Sequence, residues 1–187
     1  MSLFFRTRRR ETRADFVFPR PMMVAGGSSY ADVDVSSMEG SLQSVAVRST
    51  VDLISSLASE LPVDVFTGSG DARRQIATPG YLEDPAGDGH GLADWLYQGL
   101  ESWLLRGNLF GDVLDKGPGG FPRQVEMLHP DHVQGRMEEG VVRWTIDGKS
   151  IPAERLWHRR VNPVPGVVLG LSPVQAHAAD LGLNITL

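Results

Sequence analysis

Length, composition and charge leave a narrow set of protein classes. The chain has 187 residues, 41% of them hydrophobic, with 23 acidic against 18 basic residues, a balance that fits a folded protein of about one domain and argues against a general nucleic-acid coat. It has no cysteine, which excludes disulfide scaffolds and thiolate sites, and no apolar run approaches the ~18 residues that a membrane span needs.

Residues 1–40 differ from the rest of the sequence and are predicted to form an extended arm. They are rich in arginine, proline and glycine and keep no helical or strand period. Such a segment becomes ordered only against a neighbour. Its arginines would contact nucleic acid or an acidic partner surface, and a solvated tail is the alternative interpretation. These arginines are Arg6, Arg8, Arg9, Arg10 and Arg13.

Helical periodicity begins at Ser41. Apolar residues recur at intervals of three and four, and Pro62 ends the predicted helix because proline lacks an N–H donor and clashes with the preceding turn. Residues 63–66 then alternate as a half-buried strand, and residues 67–91 form a loop with one short strand near 75–77. The predicted buried stripe of the helix is Leu42, Val45, Ala46, Leu53, Ile54, Leu57, Ala58 and Leu61.

A second helix and a series of short strands follow. The helix is predicted over residues 92–106, with Gly107 as its left-handed cap, and its expected buried face is Leu92, Trp95, Leu96, Leu100, Trp103 and Leu104. Asp147-Gly148 is typical of a two-residue hairpin turn. Helices followed by a meander of short, mostly antiparallel strands indicate the α+β class. The strands are predicted at residues 109–115, 123–128, 133–137, 141–146 and within 150–160.

Residues 161–187 carry a single carboxylate and no Lys or Arg. Ser172-Pro173 predicts a helix start, because the hydroxyl caps the first turn and proline fits the first helical position. A helix this apolar must dock on a partner, or the natural chain continues beyond it. The stripe expected to pack in the core or against another subunit is Val174, Ala178, Leu181 and Ile185.

No set of residues predicts a catalytic, cofactor or metal site. Gly148-Lys149-Ser150 lacks the first glycine of a phosphate-binding loop and lies in a hairpin turn. His129 and His132 could share a metal, but Pro130 opposes the helix that would place them on one face. The residues indicate a non-enzymatic interaction module. The alternative is a small hydrolase or transferase built around His129/His132 or His158, with Asp131 or Glu154.

Four segments carry a further signal through their order along the chain. The first is a helix at residues 45–58 followed by Leu-Pro and a strand at 61–66, and the second is LLRGNLF at 104–110. The third is LHPDHV at 128–133, and the fourth runs from LWHRR at 156–160 to GLSPV at 170–174. Over residues 41–187 they resemble the N-terminal part of tailed-bacteriophage portal proteins of the HK97-like family. The family's patterns are L-x-x-G-N-aromatic, L-x-P-x-x-V and H-x-R…G-x-S-P.

The resemblance implies a structural subunit of the ring at the capsid vertex, through which DNA is packaged and ejected, with no catalysis of its own. It implies a dodecameric homo-oligomer whose partners are the major capsid protein, terminase, head–tail connector proteins and double-stranded DNA, with no membrane. The location would be the virion, after a stage in the host cytoplasm. Residues 41–187 would form a wing-like region, from which portal chains continue into stem and clip.

Overall fold

Two longer helices and three small antiparallel sheets make up residues 38–177, the part of the chain that this computed structural model describes. The mixture of helices and antiparallel strands confirms the predicted α+β class. In chain order the elements are α1 (Met38–Ser41), α2 (Val45–Ser59), β1 (Val65–Thr67), β2 (Arg74–Ile76), α3 (Gly80–Glu83), α4 (Gly91–Arg106), β3 (Asn108–Lys116), β4 (Pro122–Leu128), β5 (Val133–Glu138), β6 (Val141–Ile146), β7 (Lys149–Ile151), β8 (Leu156–Arg160) and α5 (Pro173–Ala176).

Two sequence predictions fall wholly or partly outside the described residues. The arginines of the arm, Arg6, Arg8, Arg9, Arg10 and Arg13, precede Met38, and three members of the C-terminal stripe, Ala178, Leu181 and Ile185, follow His177. Within residues 38–177, no helix combines the length and the hydropathy that crossing a membrane requires.

The strands follow the predicted order, and each begins within about two residues of its expected position. β1 pairs with β2, β3 lies between β4 and β8, and β6 lies between β5 and β7. The turn between β6 and β7 is the predicted one, with φ of 48° at Asp147 and 76° at Gly148, the left-handed pair that a tight hairpin requires. β8 then leaves the meander and returns to β3, where Asn108 lies opposite Arg160.

The first predicted helix is wrong in two respects. It begins at Val45 rather than at Ser41, where the separate helix α1 ends, and α2 buries a different face from the predicted stripe, since Leu53 and Leu57 are 60% and 63% exposed. Apolar residues are spread over more than one side of the 15-residue helix α2, so periodicity alone cannot select a face. The short side chains of two serines let α4 approach closely on the other side. The buried face is Val47, Val51, Ser55 and Ser59.

Helix α4 lies between α2 on one side and the β4-β3-β8 sheet on the other. Because two neighbours share its surface, the six residues predicted to form one buried face are all half-buried. The fully buried positions are Gly99, Ser102 and Leu105. Gly99 allows the sheet to approach, because a Cβ at that position would lie 2.7 Å from Leu109 Cδ1.

Two hydrophobic clusters form the core of the described residues. One lies between the helices and the other between the two three-stranded sheets. Val174 of α5 belongs to the first cluster, beside Leu105 at the end of α4. The first comprises Met38, Val47, Val51, Leu105 and Val174, and the second Phe110, Val133, Trp144 and Leu156.

Candidate functional site

The C-terminal end of α4 is where the chain reverses into β3, and Gly107 makes the reversal. Its φ of 70° is the left-handed conformation predicted for the cap, and its N–H donates to the carbonyl of Trp103 at 2.9 Å. A Cβ at Gly107 would lie 2.3 Å from the carbonyl oxygen of Leu171. The carbonyl of Gly107 accepts from the N–H of Val161 at 2.9 Å. Glycine is therefore required both for the turn and for the close approach of residues 161–171.

Asn108, the next residue, joins β3 to the segment before α5. Its Oδ1 accepts from the N–H of Gly170 at 2.7 Å, and its Nδ2 donates to the carbonyls of Gly170 at 3.0 Å and Arg106 at 2.9 Å. The N–H and the C=O of Gly170 are thus both bound by the buried side-chain amide of Asn108. Because Oδ1 is the accepting atom, the Nε2 of His158 at 3.1 Å is the donor.

We call the region where the end of α4, the start of β3, β8 and residues 161–172 meet the junction. His158, on β8, is packed as an aromatic ring within the junction. It stacks on Phe110 with ring centroids 4.5 Å apart and meets the edge of Trp144 at 5.0 Å. Burial, with a smaller contribution from the positive charge of Arg160, lowers the pKa of His158 from 6.5 to about 4. The ring is therefore neutral at pH 7. Its donor atom faces Asn108, which gives it a structural contact rather than the geometry of a general base.

Ser172 fixes the start of α5 and ties that helix to α4. Its Oγ accepts from the N–H of Gln175 at 3.1 Å, which confirms the predicted cap. The same hydroxyl donates to the carbonyl of Leu105 at 2.5 Å. The hydroxyl of Ser172 therefore fixes the first turn of α5 against the last turn of α4.

The turn Pro130–His132 contacts the same end of α4 from another side. Asp131 pairs with Arg106, and its Oδ2 accepts from the N–H of Met38 at 3.1 Å. His129 lies with its Nε2 3.3 Å from Oε1 of Glu39. The third segment singled out by the sequence thus joins α1 to α4.

Of the residues of the enzymatic alternative, the structure brings the rings of His129 and His132 to 4.9 Å from each other, whereas His158 lies on β8 and Glu154 just before it. His132 is exposed and its Nδ1 faces Asp147 at 3.6 Å, while Glu154 is exposed in the turn before β8. Within residues 38–177, ligand atoms of Glu39, His129 and Asp131 lie within 4.8 Å of one another. The guanidinium of Arg106 already pairs with Asp131 and would oppose a cation there.

Sequence reasoning missed three of these contacts. Asn108 was recognised only as part of a sequence pattern, and Ser172 was predicted as a cap but not as a donor to the carbonyl of Leu105. The buried Asp112 was not noticed. Arg155 binds both oxygens of Asp112 at 2.6 Å, and this pairing raises the pKa of Arg155. A carboxylate in the buried, apolar part of the strand, between Phe110 and Val113, was the available signal, because a buried charge requires a partner.

Comparison with known proteins gives consistent matches. The family described as Phage portal protein matches residues 45–187. The probable portal protein of Streptomyces phage phiC31 is 31% identical over 160 residues, covering 77% of this chain and 35% of that protein. The HK97 family phage portal protein from Corynebacterium diphtheriae shares 18% identity with a TM-score of 0.52, covering 77% of this chain and 44% of that one. The neck of a native gene transfer agent particle, computed with C12 symmetry, shares 18% identity with a TM-score of 0.55. This match covers 87% of this chain and 45% of that one.

The chain thus spans about a third of the length of its curated relative and less than half of each solved chain. The two solved structures share the α+β fold. The matched range includes all four segments singled out in the sequence, in agreement with the resemblance, while no comparison supports the enzymatic alternative built on His129, His132 or His158. The chain belongs to the phage portal protein family.

Proposed function

We propose that this chain is a structural subunit of the portal ring at a capsid vertex, without enzymatic activity. The observation that carries the proposal is the family match over residues 45–187, which contains Gly107, Asn108, His158 and Ser172 of the junction at the end of α4. Asn108, His158 and Ser172 all direct polar atoms to other parts of the chain. Such a junction is suited to holding a fixed shape in an assembly, since its groups are bound to one another rather than presented to a substrate.

The proposed ring contains twelve copies, and the C12 symmetry of the neck that shares this fold supports that number. The ring forms the conduit for packaging and ejection of double-stranded DNA. Its partners are the major capsid protein, terminase and the head–tail connector proteins. It is located in the virion, after assembly in the host cytoplasm.

Within this subunit, residues 41–187 form the wing-like region and residues 1–40 the arm. The arginines Arg6, Arg8, Arg9, Arg10 and Arg13 contact DNA or an acidic partner surface. Val174, which is buried in the helical cluster, begins a packing stripe that Ala178, Leu181 and Ile185 continue.

Native mass spectrometry and electron microscopy of the purified chain over a range of concentrations test the proposal. We expect closed rings of twelve copies that accumulate as concentration rises. Lys149→Ala is the control, because this exposed side chain at the hairpin between β6 and β7 lies outside the junction and its loss should leave the ring population unchanged. A monomer that stays monodisperse at every concentration would contradict the proposed function.

A further inference from the structure

The surface of α2 that faces away from α4 is apolar and open. We call it the α2 outer face. Leu53 and Leu57 lie one turn apart on it, followed by Leu61 just beyond the helix, and these three are 60%, 63% and 64% exposed. Arg48 and Asp52, the charged residues inside α2, pair with each other elsewhere on the helix. A contiguous apolar surface of this kind marks a contact with another molecule. The α2 outer face consists of Ala46, Thr50, Leu53, Ile54, Leu57 and Leu61.

We propose that residues 16–24 of a second copy of this chain cover the α2 outer face. The inference rests on the proposed ring, in which each subunit meets its neighbour through two different surfaces. One surface is the α2 outer face, and the other is the apolar segment of the neighbour's arm. The contact is then repeated around the ring and closes it.

The sequence of the segment fits an apolar helix face. Residues 16–24 read FVFPRPMMV, in which six of nine residues are Phe, Val or Met. The two prolines favour an extended peptide, which can lie along a helix and present its side chains to it. Phe16 and Phe18 are two residues apart and so project to the same side of an extended chain.

The length of chain between the segment and the described structure permits the contact. Thirteen residues separate Val24 from Met38, and an extended chain spans about 3.3 Å per residue, or roughly 45 Å. That is about twice the length of the 15-residue helix α2 at ~1.5 Å per residue. The linker is therefore long enough to carry the segment beyond helix α2 of its own subunit.

Charge favours the same contact. Residues 1–20 contain six arginines and two carboxylates, whereas residues 38–106 contain ten carboxylates and four arginines. Opposite net charges on the arm and on the helical region orient the two before they meet.

The absence of cysteine allows a clean cross-linking test. Two singly substituted chains, Phe18→Cys and Leu57→Cys, carry different tags, are mixed before assembly and are then oxidised. We expect disulfide dimers containing one of each chain, on the order of tenfold more abundant than with the control pair because docking concentrates the two thiols. The control pair replaces Leu57→Cys by Leu114→Cys, since Leu114 is also an exposed apolar residue but lies on β3.

The outcomes separate the inference from the proposed function. Rings that form without the mixed dimer would overturn the inference and leave the function standing. A chain carrying both cysteines that links only within itself would also overturn it, because the arm would then cover its own helix. If rings do not form, the proposed function fails, and mixed dimers in whatever oligomer is present still decide the inference.

Discussion

At the scale of single residues, Asn108 connects three separate parts of the junction through its side chain. Its side chain joins the last turn of α4, the start of β3, and both backbone groups of Gly170. An amide can bind a donor and two acceptors at once, and no other uncharged side chain of similar size offers this set. The G-N pair in the sequence is thus explained by two separate demands, the left-handed turn at Gly107 and the buried amide that follows it.

We expect Asn108→Ala to lower the free energy of unfolding by about 2–4 kcal/mol, because it leaves the N–H and C=O of Gly170 buried without a partner. Urea unfolding followed by circular dichroism measures this change. Gln98→Ala is the control, since its amide binds Asp94 at an exposed position and its loss should change stability by less than about 0.5 kcal/mol. Equal effects of the two substitutions would show that the junction does not depend on Asn108.

His158 makes stability depend on pH in a known direction. Its pKa is about 4 in the folded chain, below the ordinary 6.5, so between these values the unfolded chain binds a proton that the folded chain does not. Stability contributed by the neutral ring therefore falls as pH is lowered from about 6.5 to about 4, by at most ~1.4 kcal/mol per pH unit.

His158→Gln removes this titration and keeps an N–H donor for Asn108. We expect the urea midpoint of the parent chain to fall between pH 7 and pH 5 by more than that of His158→Gln. Parallel pH profiles for the two proteins would refute the assignment.

At the scale of elements, α2 has two apolar faces with different tasks. We expect Val51→Ala to cost about 1.5–3 kcal/mol of stability, because the methyl groups it removes are buried against α4. Leu57→Ala, on the α2 outer face, should change the stability of a single chain by less than about 0.5 kcal/mol. Thermal unfolding at low protein concentration measures both. The reverse order would mean that the stripe predicted from the sequence is the buried one.

The same helix shows where sequence reasoning stops. Turn chemistry located Gly107, Asp147-Gly148 and Ser172 correctly, because each is a local demand on φ or on a hydrogen bond. Periodicity found that α2 exists but not which face it buries, since that choice depends on the short side chains of Ser55 and Ser59 meeting α4. Contacts across long separations, such as Asn108 with Gly170, leave no local pattern at all.

At the scale of the whole molecule, the C-terminal stripe links the folded subunit to its surroundings. We expect replacement of both Leu181 and Ile185 by Gln to raise the solubility of the chain and to reduce binding of an apolar dye, because apolar groups exposed together promote association. Val174→Gln is the contrasting variant. Val174 lies in the helical cluster, so this change should lower the unfolding temperature instead. Light scattering and dye fluorescence distinguish the two effects, and unchanged association of the double variant would show that the stripe is not the contact.

The two partners of β3 differ greatly in their distance along the chain, and this sets an order of folding. Lys116 pairs with Pro122 across a short turn, whereas Asp112 pairs with Leu156, and closing the longer loop costs about 2 kcal/mol more in chain entropy. We therefore expect the β3–β4 hairpin to form before β8 arrives, and until then one edge of β3 would have open N–H and C=O groups that can pair with another chain. Copies that meet too early would exchange their β8 strands. Once β8 is in place, that edge of β3 is paired and closed to other chains.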